Sequence, residues 1–215
     1  LKINGLNKVD GILADLGISS HQINSRQRGF SFKGDKKLDM RMNNDLEFSA
    51  VDLLNTYKKD QLINTFSKYG EIRNSIQLAN SILRNRKKKK IKKTIDFIDI
   101  IKPFAKKKRE EKYYAKVFQA IRIEINDEIN SLKDLLLQSK ITLNKKGRLV
   151  VISYHSLEDR LIKNFINKGN FIGEPEKDFY GNQIKIFKPI FKKPITPSNK
   201  EIIKNPRSRS AKLRI

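Results

Sequence analysis

At 215 residues the chain fits one medium domain, or a compact domain carrying a smaller insertion, and either is large enough to bury a hydrophobic core. The absence of cysteine excludes disulfides, thiolate zinc sites and cysteine nucleophiles, and two histidines leave little for a metal site, so none is expected. A net charge of +24, from 47 Lys and Arg against 23 Asp and Glu, is enough to bind a polyanion, and no apolar run approaches the roughly 20 residues that span a bilayer. These features point to a cytoplasmic protein with nucleic acid as its first partner. A Lys-, Ile- and Asn-rich composition of the kind A/T-rich codons impose is the competing source of the charge.

The first element is Val9 to Asp15, a short apolar run ending in an acid, followed by the small residues of Leu16-Gly17-Ile18-Ser19-Ser20. It reads as a buried strand with a polar loop at its carboxyl end. Gly29 to Met42 has no steady period and is expected to be a structured loop.

Helices follow. Ser49 and Asp60 are expected to cap two of them, running through Tyr57 and Ser67, and a third runs from Glu71 to about Arg86 with Ile72, Ile76, Ala79 and Leu83 near one face. Lys87 to Lys93, broken only by Ile91, interrupts the apolar pattern. Thr94 then caps a helix that ends near Pro103. Apolar residues at three- and four-residue steps from Tyr113 to Leu137 predict one long amphipathic helix.

Gly147 to Ser153 is a second buried-strand pattern, and helix-then-strand suits a doubly wound sheet. Ser156 with Asp159 resembles a cap for a helix to about Asn167. Phe171 to Phe191 suggests a hairpin turning at Gly181-Asn182, with Ile184 to Phe187 as its second strand. Ser198 with Glu201 forms a capping box for a short last helix, and Ser210 to Ile215 is expected to return as an edge strand.

Ligands of open α/β sheets sit beyond the carboxyl ends of the strands, so Asp15 to Gln22 and Ser153 to Asp159 are the informative places. An acid at a strand end is weakly specific alone, because capping a loop is its commoner role.

Six ordered segments carry a resemblance. They are Val9-Asp10-Gly11-Ile12-Leu13-Ala14-Asp15-Leu16-Gly17-Ile18-Ser19-Ser20, Arg28-Gly29-Phe30-Ser31-Phe32, Leu38-Asp39-Met40-Arg41-Met42, Phe118-Gln119-Ala120-Ile121-Arg122, Ser156-Leu157-Glu158-Asp159-Arg160, and the Asn205 to Arg214 run. In that order they resemble the signature segments of the RsmH (MraW) family over essentially the whole chain. The resemblance implies an α/β protein: a class I, Rossmann-like S-adenosylmethionine-dependent methyltransferase core, formed by residues 1–30 and 113–215, with an inserted all-helical domain at 31–112 that is expected to help clasp RNA. It implies methyl transfer from S-adenosyl-L-methionine to the N4 amino group of a cytidine in the decoding region of 16S ribosomal RNA. Small-subunit RNA or the assembled subunit would be the partner, and a homodimer is an open option. The family's cofactor contacts correspond to Asp15 and Gln22.

The chain also departs from the family pattern. The family's glycine-rich loop and ribose-binding acid are expected upstream of Leu1, so the chain is read as the larger, C-terminal part of such an enzyme, with a true N-terminal deletion as the alternative. Tyr113-Tyr114-Ala115-Lys116-Val117 stands where many relatives carry a His-Pro-Ala-Thr-Arg-like stretch.

Transfer to a cytosine amino group needs acceptors that hold its hydrogens and orient its delocalised lone pair. Asp15, Ser19 and Ser20 stand where such acceptors are expected, with Asp15 equally suited to face a cationic cofactor. His155 is a candidate for taking the late proton, or is a structural hydrogen-bonder. Phe30 and Phe32 would stack on an extruded base or, more commonly for loop phenylalanines, pack their loop onto the core. Arg28, Arg41, Arg207 and Arg209 suit phosphate contact, with an internal ion pair, Asp39 to Arg41 above all, as the alternative. Two other readings are a noncatalytic ribosome-binding protein derived from such an enzyme, and a DNA cytosine methyltransferase. The latter is disfavoured because Asp15-Leu16-Gly17-Ile18 replaces the Pro-Pro-aromatic tetrad of those enzymes.

Overall fold

The computed structural model describes residues 5, 7–24, 28–175, 177–182 and 185–215. The chain is an α/β protein with a small mixed sheet, and it divides into two compact units. One is Leu1–Gly17 with Ile129–Ile215, the other Ile18–Glu128.

The first unit holds a three-stranded sheet in the order β1 (Val9–Asp15), β2 (Leu143–Ser153), β3 (Lys212–Arg214). β1 and β2 are parallel, in a register that sets Gly11 beside Arg148 and Asp15 beside Ile152. β3 returns antiparallel on the other edge of β2, Val151 facing Arg214, as the edge-strand expectation has it. The core of this unit gathers Leu132 and Leu136 of α7 (Glu128–Thr142), Leu149 and Val151 of β2, and Ile162, Phe165 and Ile166 of α8 (Ser156–Lys168). β1 is not the fully buried strand its composition suggests: Ile12 and Ala14 pack against that core, while Leu13, facing the opposite way, is 71% exposed. Among the described residues the strand pairs on one side and packs on one face.

Of the hairpin expected at 171–191, the described residues show the turn and no strand. Asp178 N donates to Asn182 O at 2.9 Å and Gly181 N to Asp178 O at 3.0 Å, while Lys185 to Phe187 form no strand, and Ile184 lies outside the described residues. Asp178 Oδ1 also accepts from the backbone of Tyr180 and Asn182, so short-range bonds hold the turn. The last helix, α9 (Asn199–Lys204), starts as its sequence predicts, with Ser198 Oγ accepting from Glu201 N.

The second unit is helical: α1 (Ser20–Asn24), α2 (Ala50–Thr56), α3 (Lys59–Gly70), α4 (Ser75–Lys88), α5 (Thr94–Ile101) and α6 (Glu110–Ile125), with a 3-10 turn at Lys102–Phe104 where Pro103 ends α5. Its core centres on Leu54, Leu62, Phe66, Leu78, Phe97, Val117 and Ile121. α6 packs along α3 and α2 and so belongs to this unit.

Several predicted boundaries shift. Lys58 and Lys93, rather than Asp60 and Thr94, are the N-caps of α3 and α5, and α4 starts at Ser75 because Glu71, in left-handed geometry, closes α3. The single helix predicted from Tyr113 to Leu137 is two, broken at Asn126 and Asp127. Asp127 takes a φ of 48°, a conformation Asn and Asp tolerate better than most residues, and Asn126 turns its amide out of the helix toward the backbone of Met40 and Met42. Periodicity cannot register such a break, since the apolar stripe resumes in phase after it. Among the described residues no helix is long and apolar enough to cross a membrane.

Candidate active site

Parallel pairing brings the carboxyl ends of β1 and β2 to the same edge of the sheet. Leu16 N donates to Ile152 O at 3.0 Å just past Asp15, so the chains leave the sheet side by side. Asp15 and Tyr154 thereby become neighbours 139 residues apart, and the Tyr154 hydroxyl donates to Asp15 Oδ1 at 2.8 Å. Burial, and then the hydrogen bond to Asp15 with the negative charges of Asp15 and Glu158, push the Tyr154 phenol up to about 12. It is therefore a permanent donor at physiological pH, and the exposed Asp15 carboxylate keeps further lone pairs for other donors.

His155, expected beside the chemistry, is the N-cap of α8. Its Nδ1 accepts from Glu158 N at 3.4 Å, Nε2 lies 3.1 Å from Glu158 Oε1, and its side chain is 9% exposed. Glu158 in turn accepts from the backbone N–H groups of Tyr154 and His155 through Oε2. The capping pair is thus His155 with Glu158, one position before the Ser156 and Asp159 pairing expected, and this leaves Asp159 free for another task. Asp159 binds Lys212 Nζ at 3.0 Å and Arg214 Nε at 2.7 Å, tying β3 to α8. Burial pushes its carboxyl up, but hydrogen bonds from Arg214 and Lys212 and their charge outweigh this and hold it below the ordinary carboxylate value.

In the helical unit, Ser19 and Gln22 form a reciprocal cap at the start of α1. Ser19 N donates to Gln22 Oε1 at 2.9 Å and Gln22 N to Ser19 Oγ at 3.2 Å, with Ser20 the exposed first residue of the helix. The cap leaves the Gln22 amide nitrogen as its donor.

The loop carrying Arg28, Phe30, Phe32 and Arg41 is wired internally. Arg41 binds Asp39 with both Nε (2.7 Å) and a terminal nitrogen (2.9 Å), and its other terminal nitrogen donates to the carbonyls of Asn44 and Leu46. Burial of Asp39 raises its pKa, and the hydrogen bonds and charge of Arg41 overcome this and lower it. Arg28 donates to the carbonyls of Arg41 and Met42. Phe30 is buried, and Phe32 meets Tyr114 and Phe118 edge-on at 5.9 and 6.0 Å. All four side chains thus make contacts within the loop or with the core: Arg41 forms the ion pair with Asp39 weighed from sequence, whereas Arg28 binds carbonyls and not a carboxylate.

At the centre of the loop Met40 is fully buried with a φ of 60°, which a bulky residue adopts only when its surroundings force it. Asn126 supplies that constraint: Oδ1 accepts from Met42 N at 2.6 Å and Nδ2 donates to Met40 O at 2.8 Å. Gly29, with a φ of 66°, is required because a Cβ there would lie 2.3 Å from Lys37 O. Arg207 and Arg209 stand exposed on the 3-10 segment Pro206–Ser210.

Tyr154 is the site residue that sequence reasoning missed. Its signal was available, since it follows the second strand directly as Leu16 follows the first, but nothing in the sequence states that the two strands are adjacent.

The sequence profile of the MraW methylase family matches residues 1–215. The chain belongs to the MraW methylase family. Its relatives include three proteins named ribosomal RNA small subunit methyltransferase H. That of Cytophaga hutchinsonii is 50% identical over 215 residues, covering all of this chain and 72% of the relative. That of Parabacteroides distasonis is 50% identical over 208 residues, 97% of this chain and 68% of the relative, and that of Phocaeicola vulgatus is 50% identical over 215 residues, all of this chain and 71% of the relative. In this MraW methylase the first signature segment carries Asp15 and the fifth opens α8 just after Tyr154. Segments two and three form the Met40 loop, Phe118 of the fourth packs against Phe32 of that loop, and the last supplies β3 with the two bases that grip Asp159.

Proposed function

We infer that the chain transfers a methyl group from S-adenosylmethionine to the N4 amino group of a cytidine in the decoding region of small-subunit ribosomal RNA. The observation that carries this reading is the 50% identity, along the whole chain, to proteins named for ribosomal RNA small subunit methylation. In this reading the sheet unit is part of a class I methyltransferase core and the compact helical unit Ile18–Glu128 is an insertion in it, which the segregation of strands from helices supports.

The residues present fit such a cofactor: an exposed carboxylate at the carboxyl edge of two parallel strands, held by a neutral phenol, suits a ligand that carries cationic groups and no phosphate. Asp15 would hold it, Gln22 being the further contact that the family resemblance implies, and it would supply an electrophilic methyl group. The protein's own contribution is positioning. The N4 lone pair of cytosine is delocalised into the ring, and an acceptor on the amino hydrogens both aligns the nitrogen and favours the charge that develops on it. Asp15 is the acceptor, and Tyr154 fixes its carboxylate. No strong base is needed beforehand, because the amino group becomes acidic only as its new bond forms; Asp15 then takes the proton and, being exposed, passes it to water. His155, whose Nδ1 accepts from Glu158 N, caps the start of α8 instead. Arg207 and Arg209 are proposed as phosphate contacts.

The test is nucleoside mass spectrometry of small-subunit RNA after incubating unmethylated subunits with S-adenosylmethionine and the full-length protein. Appearance of N4-methylcytidine is expected, and its loss in Asp15→Ala with the fold intact. A wild-type protein that leaves the RNA unmodified, or an Asp15→Ala variant of full activity, overturns the reading or the residue's role respectively.

A further inference from the structure

We propose that the helical unit carries a dedicated binding cavity for a single-stranded segment of the RNA substrate, centred on Arg73, Arg109 and Tyr113. The proposal rests on the RNA-methylating reading and adds to it a site away from Asp15.

A cavity of about 480 Å³ opens between the α3–α4 connection, Phe104 of the 3-10 turn and the first two turns of α6. Its position follows from spacing: Arg109, Lys112, Tyr113 and Lys116 recur at three- and four-residue steps and so share one face at the start of α6. Arg73 and Lys106 complete the rim. Five cations thus line one cavity together with a single carboxylate, Glu71, itself 3.8 Å from Lys116. Among the described residues no carboxylate lies within 4 Å of Arg73, Lys106, Arg109 or Lys112. This sets them apart from Arg28 and Arg41, which the fold consumes. Like charges converging on a cleft with low-dielectric walls repel one another and focus a positive potential, an arrangement that favours an anion in the cleft.

The floor carries a different chemistry. Ile72 is buried beneath it, and the half-buried Phe104 and Tyr113 rings line it. The Tyr113 hydroxyl lies 3.4 Å from Asn74 Oδ1, and burial pushes its phenol pKa up, so it remains neutral. An apolar and aromatic floor under a cationic rim matches a nucleotide in single-stranded RNA, with the base over the aromatic rings and the flanking phosphates on the guanidinium groups. A duplex presents stacked bases, which have no access to such a floor.

The experiment measures binding of a short unstructured RNA to the full-length protein by fluorescence anisotropy across a salt series, with methylation kinetics on unmethylated subunits alongside. The exposed pair Arg73→Gln/Arg109→Gln is expected to weaken binding at least tenfold. It should also lower the slope of log affinity against log salt by about 1.4, roughly 0.7 for each lost phosphate contact on a single strand. Lys87→Gln/Lys88→Gln, outside the cavity, should leave binding within about twofold. A 2-aminopurine in the RNA should be quenched by the wild type and by Tyr113→Phe but not by Tyr113→Leu. In methylation the arginine pair should raise KM and leave kcat unchanged. Unchanged affinity and salt slope in the arginine pair, or equal losses for a duplex of the same length, overturn the cavity while leaving the methylation reading intact. Failure of the wild type to methylate at all strikes the latter alone.

Discussion

The pairing of Asp15 with Tyr154 makes a quantitative prediction about how much of the rate depends on holding one carboxylate still. Tyr154→Phe removes a single hydroxyl and leaves the ring in place. A hydrogen bond to a charged acceptor is worth about 1.5–3 kcal/mol, and because Tyr154 is 36% exposed and Asp15 is exposed, the lower end applies, about 1.5 kcal/mol or roughly tenfold in rate. Asp15→Asn, which keeps the shape but removes the charge, should cost on the order of 10²–10³ in kcat, as for loss of one preorganised polar group at a reacting centre. If Tyr154 acts only through Asp15, the phenylalanine substitution should cost less than about 0.5 kcal/mol more in the Asp15→Asn background, a strong departure from additivity. The assay is single-turnover methyl transfer to unmethylated subunits for the four proteins, with circular dichroism to establish that each is folded. Because the Tyr154 phenol is pushed up to about 12, the wild-type to Tyr154→Phe ratio should be constant from pH 7 to 10. A fully active Tyr154→Phe, or strictly additive losses, refutes the view that the tyrosine positions the carboxylate.

Asn126→Ala should destabilise the protein by about 2–4 kcal/mol in urea denaturation, because it strands the Met42 N–H and Met40 carbonyl of a buried left-handed loop. A loss under about 0.5 kcal/mol would show that the loop holds itself. Asp159 contributes stability in a definite pH window: its folded pKa lies below the unfolded value, so its contribution is fully present above the unfolded value, near 3.8, and disappears as pH falls through the folded one. Chemical denaturation from pH 6 to 3 should therefore show a steeper acid loss in the wild type than in Asp159→Asn, and parallel curves would count against the Lys212 and Arg214 contacts.

Local structure was largely legible in the sequence because its causes are local. Val9 to Asp15 and Gly147 to Ser153 are apolar enough to be strands in any context, Ser49 and Ser198 cap helices through bonds to residues three positions away, and Pro103 ends α5 for want of an N–H. The resemblance carried by six short segments was equally a property of the sequence, and it led to the family that the whole-chain comparison shows. Besides shifts of a few residues at the caps of α3, α4 and α5, errors arise where a polar side chain reaches across the fold. Asn126 breaks a helix in order to bind a loop 84 and 86 residues earlier, and Asp159 leaves the cap it was expected to share in order to grip a strand 53 and 55 residues later.

The same distinction separates the site residues. The sequence by itself determined which residue types were present: an acid after a strand, arginines and phenylalanines in a loop, a histidine before a helix. Only tertiary structure decided how each is occupied, because a guanidinium can bind phosphate or Asp39, and a phenylalanine can stack on a base or on Tyr114 and Phe118, according to what stands beside it. Arg41 and Phe32 are consumed by the fold, whereas Arg73 and Arg109, unremarkable in sequence, converge on a cavity without acidic partners among the described residues. The physical reason is range: capping and strand propensity act over a few residues, whereas the partner that a long polar side chain finds depends on chain segments brought together only by packing.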